Sequence, residues 1–116
     1  MTHRIYEMPF ASVWVLYIKK LERKERTVQE LIEVTTWLTG FTPKELQKHI
    51  DDQTTFREFF AKAKINVKAT EIKGVICGVR IEEIEDPLMK QIRYLDKLVD
   101  ELYKGRPMAK VLRTTS

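Results

Sequence analysis

The chain has 116 residues, 43% of them hydrophobic and 33% charged, and its 21 basic and 17 acidic side chains leave a net charge of +4. This composition is typical of one soluble globular domain and excludes a disordered chain. The longest apolar run, Phe10 to Ile18, is too short for a membrane helix, which needs about 20 residues, and it lacks a signal-peptide cleavage site. Because Cys77 is the single cysteine, no internal disulfide can form, and we expect a cytoplasmic protein that does not bind membranes.

The first half of the chain carries the signals of short helices. The apolar residues from Val13 to Leu21, Leu16 among them, and the charged stretch after them predict a helix from about Ser12 to Glu25. Three N-terminal capping sequences follow, in which a threonine precedes a glutamate by three residues: Thr27-Val28-Gln29-Glu30, Thr42-Pro43-Lys44-Glu45 and Thr55-Phe56-Arg57-Glu58. The first predicts a helix from Val28 to about Leu38, ended by Gly40, and the second predicts a helix from Pro43 to about Gln53.

Residues 65–86 fit two interpretations. Helical spacing is matched by Ile72, Val75, Ile76 and Val79, and strand spacing by Val75, Cys77, Val79 and Ile81. Gly74 and Gly78 would each cost a helix about 1 kcal/mol relative to alanine. We favour a helix because the flanking segments are helical, and keep a short strand as the alternative. In either case the apolar neighbours of Cys77 predict a buried, unreactive thiol.

The last third of the chain predicts one long amphipathic helix with both ends marked. Asp86 can cap its first amides, Pro87 suits the first helical position, and Gly105 can adopt the left-handed conformation that ends a helix. One apolar stripe repeats at steps of four and three residues: Leu88, Ile92, Leu95, Val99 and Leu102. We therefore expect this helix to be the spine of the core.

Together these elements predict one all-α domain over residues 1–116. It would be a small bundle of about five or six short helices that ends in the long one. Residues 1–8 and 113–116 flank the predicted helices, and we expect them to be flexible.

Few residues form a pattern with defined chemistry. The four glycines match no phosphate-binding loop, and His3 and His49 do not combine with acidic residues into a metal site, so we expect no metal, no cofactor and no catalytic residue. The segment from Lys19 to Arg26 holds five basic and two acidic residues, which we interpret as a solvated helix end. Residues 28–53 have helix-turn-helix spacing, but Asp51 and Asp52 would repel phosphate, and we expect no nucleic-acid binding.

Four phrases of the sequence resemble the bacterial family called domain of unknown function 2200. They are His3 to Val13, Trp37 to Gly40, Gly74 to Met89, and Ile92 to Leu102. The resemblance extends from about residue 3 to 113. It implies a small, largely helical bacterial protein of unassigned function, and it assigns no catalytic residue.

Two functional hypotheses follow. The first is a non-catalytic interaction module that binds a second copy of itself or another protein. The second is a small-ligand or enzymatic site, because polar side chains beside an apolar stripe can line a pocket. Its residues would be His3, Arg4, Tyr6, Arg80, Glu85, Asp86, Arg93 and Tyr94. We favour the first hypothesis, since no reactive cluster stands out.

Overall fold

Six α-helices account for most of residues 4–113, the part of the chain that the computed structural model describes. They are α1 (Phe10–Glu22), α2 (Val28–Thr39), α3 (Pro43–Asp51), α4 (Phe56–Lys62), α5 (Pro87–Tyr103) and α6 (Met108–Val111). Two strands, β1 (Val75–Ile76) and β2 (Val79–Arg80), form a small antiparallel hairpin. Short 3₁₀ turns cover Arg4–Glu7, Val67–Glu71 and Ile81–Glu83. The predicted small all-α bundle is confirmed, although the short α6 follows the long helix.

The predicted caps set where the helices begin. The Thr27 hydroxyl accepts a hydrogen bond from the Glu30 amide at 3.1 Å, and the Glu30 carboxylate accepts one from the Thr27 amide at 3.0 Å. Thr42 caps α3 in the same reciprocal way, and Thr55 accepts from the third amide of its helix at 3.2 Å. These bonds satisfy amide groups that have no partner within the helix.

Helix α5 is the spine that the sequence predicts. Asp86 caps it, and at its other end the Gly105 amide donates to the Leu102 carbonyl at 3.0 Å and the Arg106 amide to the Glu101 carbonyl at 3.1 Å. This is a Schellman motif, and Gly105 has the positive φ of +87° that the motif requires. The predicted stripe is buried from Ile92 to Leu102, and α5 packs against α1, α2, α4 and α6.

The N-terminal segment packs on the core from Tyr6 onward, and residues 1–3 of the terminus that we expected to be flexible lie outside the described residues. Tyr6 is only 2% exposed, and the Phe56 amide donates to the Met8 carbonyl at 3.0 Å. The buried rings of Phe10 and Phe59 stack with centroids 4.0 Å apart, which joins α1 to α4. Near the other end of the chain, the Arg113 guanidinium donates hydrogen bonds to the Glu101 carboxylate of α5.

The preferred prediction of a helix over residues 65–86 is wrong, because these residues form turns and the hairpin. Cys77 and Gly78 occupy the two central positions of the hairpin turn with φ of +52° and +76°, as a type I′ turn requires. Gly74 has a φ of +105°, which a helix also cannot accommodate. The turn places Cys77 in solvent, so the prediction of a buried thiol is wrong. Ile72 and Ile81 at the base of the hairpin are buried in the core, and Ile76 of β1 packs against it in part.

Candidate functional site

The N-terminal segment and α1 run parallel to α5 and meet it through three polar contacts. The Tyr6 hydroxyl donates to Asp86 and the Tyr17 hydroxyl to Asp96, both at 2.5 Å, and the Lys20 ammonium lies 3.6 Å from Asp100. Burial, with the hydrogen bond to Asp86, raises the pKa of Tyr6 to about 12. Burial and the charge of Asp96 raise the pKa of Tyr17 well above its usual value. Both phenols therefore stay protonated and act as hydrogen-bond donors, Tyr6 from the N-terminal segment to Asp86 and Tyr17 from α1 to Asp96.

Asp96 is shared between two donors. Its second oxygen accepts a hydrogen bond from Arg93 Nη1 at 2.8 Å. The carboxylate thus has a partner at each oxygen, and both Arg93 and Tyr17 are committed to it. This arrangement links α1 to α5 through Asp96.

The structure brings only part of the predicted ligand set together. Tyr6 and Asp86 are in contact, as described above. Arg93 faces α1, whereas Tyr94, the next residue on α5, points about 100° away and lines a cavity beside Glu82. The predicted residues therefore divide between different faces of α5.

The remaining predicted residues do not complete a pocket with them. Arg80 lies in β2, with Nη1 3.8 Å from a Glu82 carboxylate oxygen. Arg4 and Glu85 are exposed. His3 lies outside the described residues.

The other histidine, His49, is a packing residue. Its ring contacts the rings of Phe41 and Phe59 at centroid distances of 4.7 and 5.4 Å, and its Nδ1 is 3.1 Å from the Thr54 hydroxyl oxygen. Burial, and then the charge of Lys62, lowers the pKa of His49. Within residues 4–113, no group of three or more His, Cys, Asp or Glu side chains is arranged to hold a metal ion.

One exposed surface combines apolar and basic groups. It encloses a cavity of about 320 Å³ between α1 and the end of α5. We call it the basic face, formed by Leu16, Lys19, Lys20, Arg23, Lys24 and Tyr103. The α1 residues that line it are spaced three and four apart, which places them on one side of the helix.

The basic face combines one exposed leucine with several cations. Leu16 is 61% exposed. The ammonium groups of Lys20 and Lys24 each lie 5.1 Å from the centroid of the Tyr103 ring. Among the described residues, Lys20 is the one cation of this face that forms an ion pair.

The predictions from sequence missed the basic face as a site. The basic run from Lys19 was visible, but we interpreted it as a solvated helix end. Leu16 lies within the apolar set that predicts the first helix, and that set does not show that its side chain is exposed. The spacing of Leu16, Lys19, Lys20 and Arg23 along one helix side is the signal that could have revealed it.

The comparisons with known proteins identify the family. Residues 4–113 match a family described as "Uncharacterized protein conserved in bacteria (DUF2200)", and the chain belongs to this family. The resemblance predicted from the sequence is therefore confirmed. The chain is also similar to a solved structure described as the crystal structure of uncharacterized protein SP1917. The two chains are 43% identical with a TM-score of 0.91, and the match covers 98% of this chain and 94% of the other.

A search of curated proteins returned no match. The family and the solved structure have no assigned function, so the functional argument rests on the geometry described above. In the part of the chain that the structure describes, no helix is both long and apolar enough to cross a membrane.

Proposed function

We propose that this protein is a non-catalytic interaction module that binds an acidic segment of another protein on the basic face. The observation that supports it is the exposure of Leu16, 61%, on the same face as several cations. An exposed leucine among charged groups loses contact with water when a partner covers it, which favours association.

The charges favour an acidic partner. Lys19, Arg23 and Lys24 form no ion pair with any residue in the range 4–113. Asp100 is shared between Lys20 and Lys104, with its second oxygen 3.1 Å from the Lys104 ammonium. The face thus offers positive charge that the chain itself does not neutralise.

A second copy of the chain fits this surface less well. In a symmetric dimer the same patch meets itself, so the cations around Leu16 would face one another and repel. Stacking of nucleic-acid bases is also disfavoured, because Lys20 and Lys24 already lie over the Tyr103 ring.

The polar residues that could have supplied an active site have structural roles. Asp96, Arg93 and Tyr17 bind one another across the α1–α5 contact. Glu101 is 4% exposed and accepts two hydrogen bonds from Arg113, at 2.7 and 2.9 Å. These contacts support a non-catalytic role.

The exposed, unpaired Cys77 suits a reducing compartment, and we place the module in the cytoplasm.

The test is a selection of random peptides displayed on phage, with the immobilised wild-type protein as the target. The counter-target is the variant Leu16→Ser/Lys19→Glu/Arg23→Glu, whose fold is checked by circular dichroism. We expect the selected peptides to combine several Asp or Glu residues with one large apolar side chain. Their affinity should fall as salt is added, and their amide shift changes should map to the basic face.

The matched control is Lys44→Glu/Lys48→Glu on α3, which reverses two exposed charges elsewhere and should bind the peptides like the wild type. Several results would contradict the proposal. One is a set of peptides without acidic residues, and another is shift changes on a different surface. A concentration-dependent dimer, or binding to anionic vesicles or duplex DNA, would also overturn it if the triple variant abolished that association.

A further inference from the structure

A second cavity, of about 200 Å³, lies on the side of α5 that carries Tyr94. The fully buried side chains of Ile72 and Ile81 supply its apolar part. Its polar lining consists of Thr70, Lys73, Glu82, Lys90 and Tyr94. Lys90 and Tyr94 are four residues apart on α5 and so share one side of that helix.

Tyr94 is the most unusual residue of this cavity. It is only 6% exposed, yet its hydroxyl forms no hydrogen bond with any residue that the structure describes. Burial raises the pKa of Tyr94, so the phenol remains a protonated donor at neutral pH. The hydroxyl opens onto the cavity that Tyr94 lines, where it can donate to a bound acceptor.

The charges around Tyr94 indicate what that acceptor would be. Neither Lys73 nor Lys90 forms an ion pair within residues 4–113. The one carboxylate, Glu82, is already engaged: it accepts a hydrogen bond from the Gly74 amide at 2.9 Å and lies 3.8 Å from Arg80. The bond from Gly74 is also the main reason that the pKa of Glu82 is lowered.

We propose that this cavity binds a small oxyanion, a carboxylate or phosphate group carried by a compact organic molecule. Tyr94 donates a hydrogen bond to the anion, Lys73 and Lys90 supply its counter-charge, and the two isoleucines contact its apolar part. A volume of about 200 Å³ lies below the range of drug-sized sites, which favours a compact metabolite over a nucleotide. This site is independent of the basic face.

The experiment titrates methyl phosphate and, separately, acetate into the ¹⁵N-labelled full chain at low ionic strength. Saturable amide shifts are expected for residues 70–74, 81–82 and 90–94. Tyr94→Phe keeps the ring and removes the donor, and it should weaken binding about tenfold, which is the usual size of one hydrogen bond to a charged group. Lys73→Met/Lys90→Met should abolish saturable binding. Tighter binding of methyl phosphate would identify phosphate esters as the ligands, and tighter binding of acetate would identify carboxylates.

The matched control is Lys62→Met on α4, which removes one positive charge elsewhere and should bind like the wild type. The absence of saturable shifts at these residues with both anions would overturn the proposal. So would unchanged affinity in Tyr94→Phe, because the hydroxyl would then have no role in binding. The basic-face variant Leu16→Ser/Lys19→Glu/Arg23→Glu should keep these shifts. Anion binding in this cavity would then be independent of peptide binding on the basic face.

Discussion

Helix α5 and the hairpin segment, residues 74–81, are held in place by different forces. The helix buries Leu95 and Leu98 completely and has both ends capped. Each strand of the hairpin is two residues long, and Val75 and Val79 remain 50% and 40% exposed. Stability in the first region comes from burial against several helices at once, whereas the second depends on the backbone conformation of one turn. A change in α5 should therefore affect the whole domain, and a change in the hairpin should stay local.

The largest effect is expected from Leu95→Ala, because Leu95 is fully buried where α5 meets its neighbours. The lost burial and the remaining cavity should lower the free energy of unfolding by about 2–5 kcal/mol. Urea titration followed by circular dichroism measures this loss. A decrease below about 1 kcal/mol would show that the core collapses around the deletion and that α5 is not the rigid spine.

The next largest effect concerns the phenols that join α1 to α5. The pKa of Tyr6 is about 12 in the folded protein and 10.0 in its unperturbed state. A raised pKa stabilises the fold below pH 10, and this contribution is lost as the pH rises toward about 12. We expect the free energy of unfolding to fall more steeply over this range in the wild type than in Tyr6→Phe.

The same titration applies to Tyr17, whose pKa is also raised well above 10.0, so Tyr17→Phe should flatten the curve from about pH 10 upward. Denaturant titrations at several alkaline pH values measure both slopes. Parallel curves for the wild type and the two variants would show that the phenols do not contribute to the contact between α1 and α5.

A smaller loss of stability is expected when either of two glycines with similar conformations is replaced by alanine. Gly105, after α5, and Gly78, in the hairpin turn, have φ of +87° and +76°, and an added Cβ would meet no atom within 4 Å at either position. Alanine should therefore introduce backbone strain of about 1–2 kcal/mol at each. Gly105→Ala should lower global stability by that amount. In Gly78→Ala the hairpin can open alone, so global stability should fall less.

Hydrogen exchange distinguishes the two outcomes. The Ile81 amide, which donates to the Gly74 carbonyl at 2.9 Å across the base of the hairpin, should exchange faster in Gly78→Ala while amides in α5 keep their protection. Equal loss of protection in both regions would show that the hairpin unfolds only together with the domain.

The smallest effect is expected at Cys77, which is exposed in the turn with a φ of +52°. Asparagine tolerates this conformation better, so Cys77→Asn should raise stability by less than about 0.5 kcal/mol. In the native wild type, a thiol reagent should label Cys77 nearly as fast as in the unfolded chain. Strong protection of the native thiol would mean that the turn is covered.

The parts of the fold that could be predicted are those encoded within a few residues. Capping at Thr27 and Thr42 and the stripe of α5 follow from local spacing. The hairpin could not be predicted, because two-residue strands have almost no periodicity and Cys77-Gly78 lacks the Asn-Gly signature of a type I′ turn. The burial of Ile72 and Ile81 in the core is a tertiary contact that local spacing does not encode.

The sequence indicates which residues could belong to a site, but not which of them lie together in the fold. Tyr6, Asp86 and Tyr94 belonged to one predicted set, and the structure brings the first two together and separates the third. Which side of α5 each residue occupies depends on contacts with distant segments, and local spacing does not contain that information. The exposure of Leu16 likewise depends on where Tyr103 lies.

The parallel contact between the N-terminal segment and α5 also affects the order in which the chain can fold. Tyr6 and Tyr17 bind carboxylates that lie 80 and 79 residues further along the sequence. During synthesis the side of α1 that packs on α5 therefore stays uncovered until α5 has left the ribosome, although α2, α3 and α4 can cover its other contacts earlier. Contacts of such large sequence separation slow folding and leave apolar surface exposed in the meantime. Fragments that stop before α5 should accordingly aggregate, and the complete chain should fold only after its last long helix has emerged.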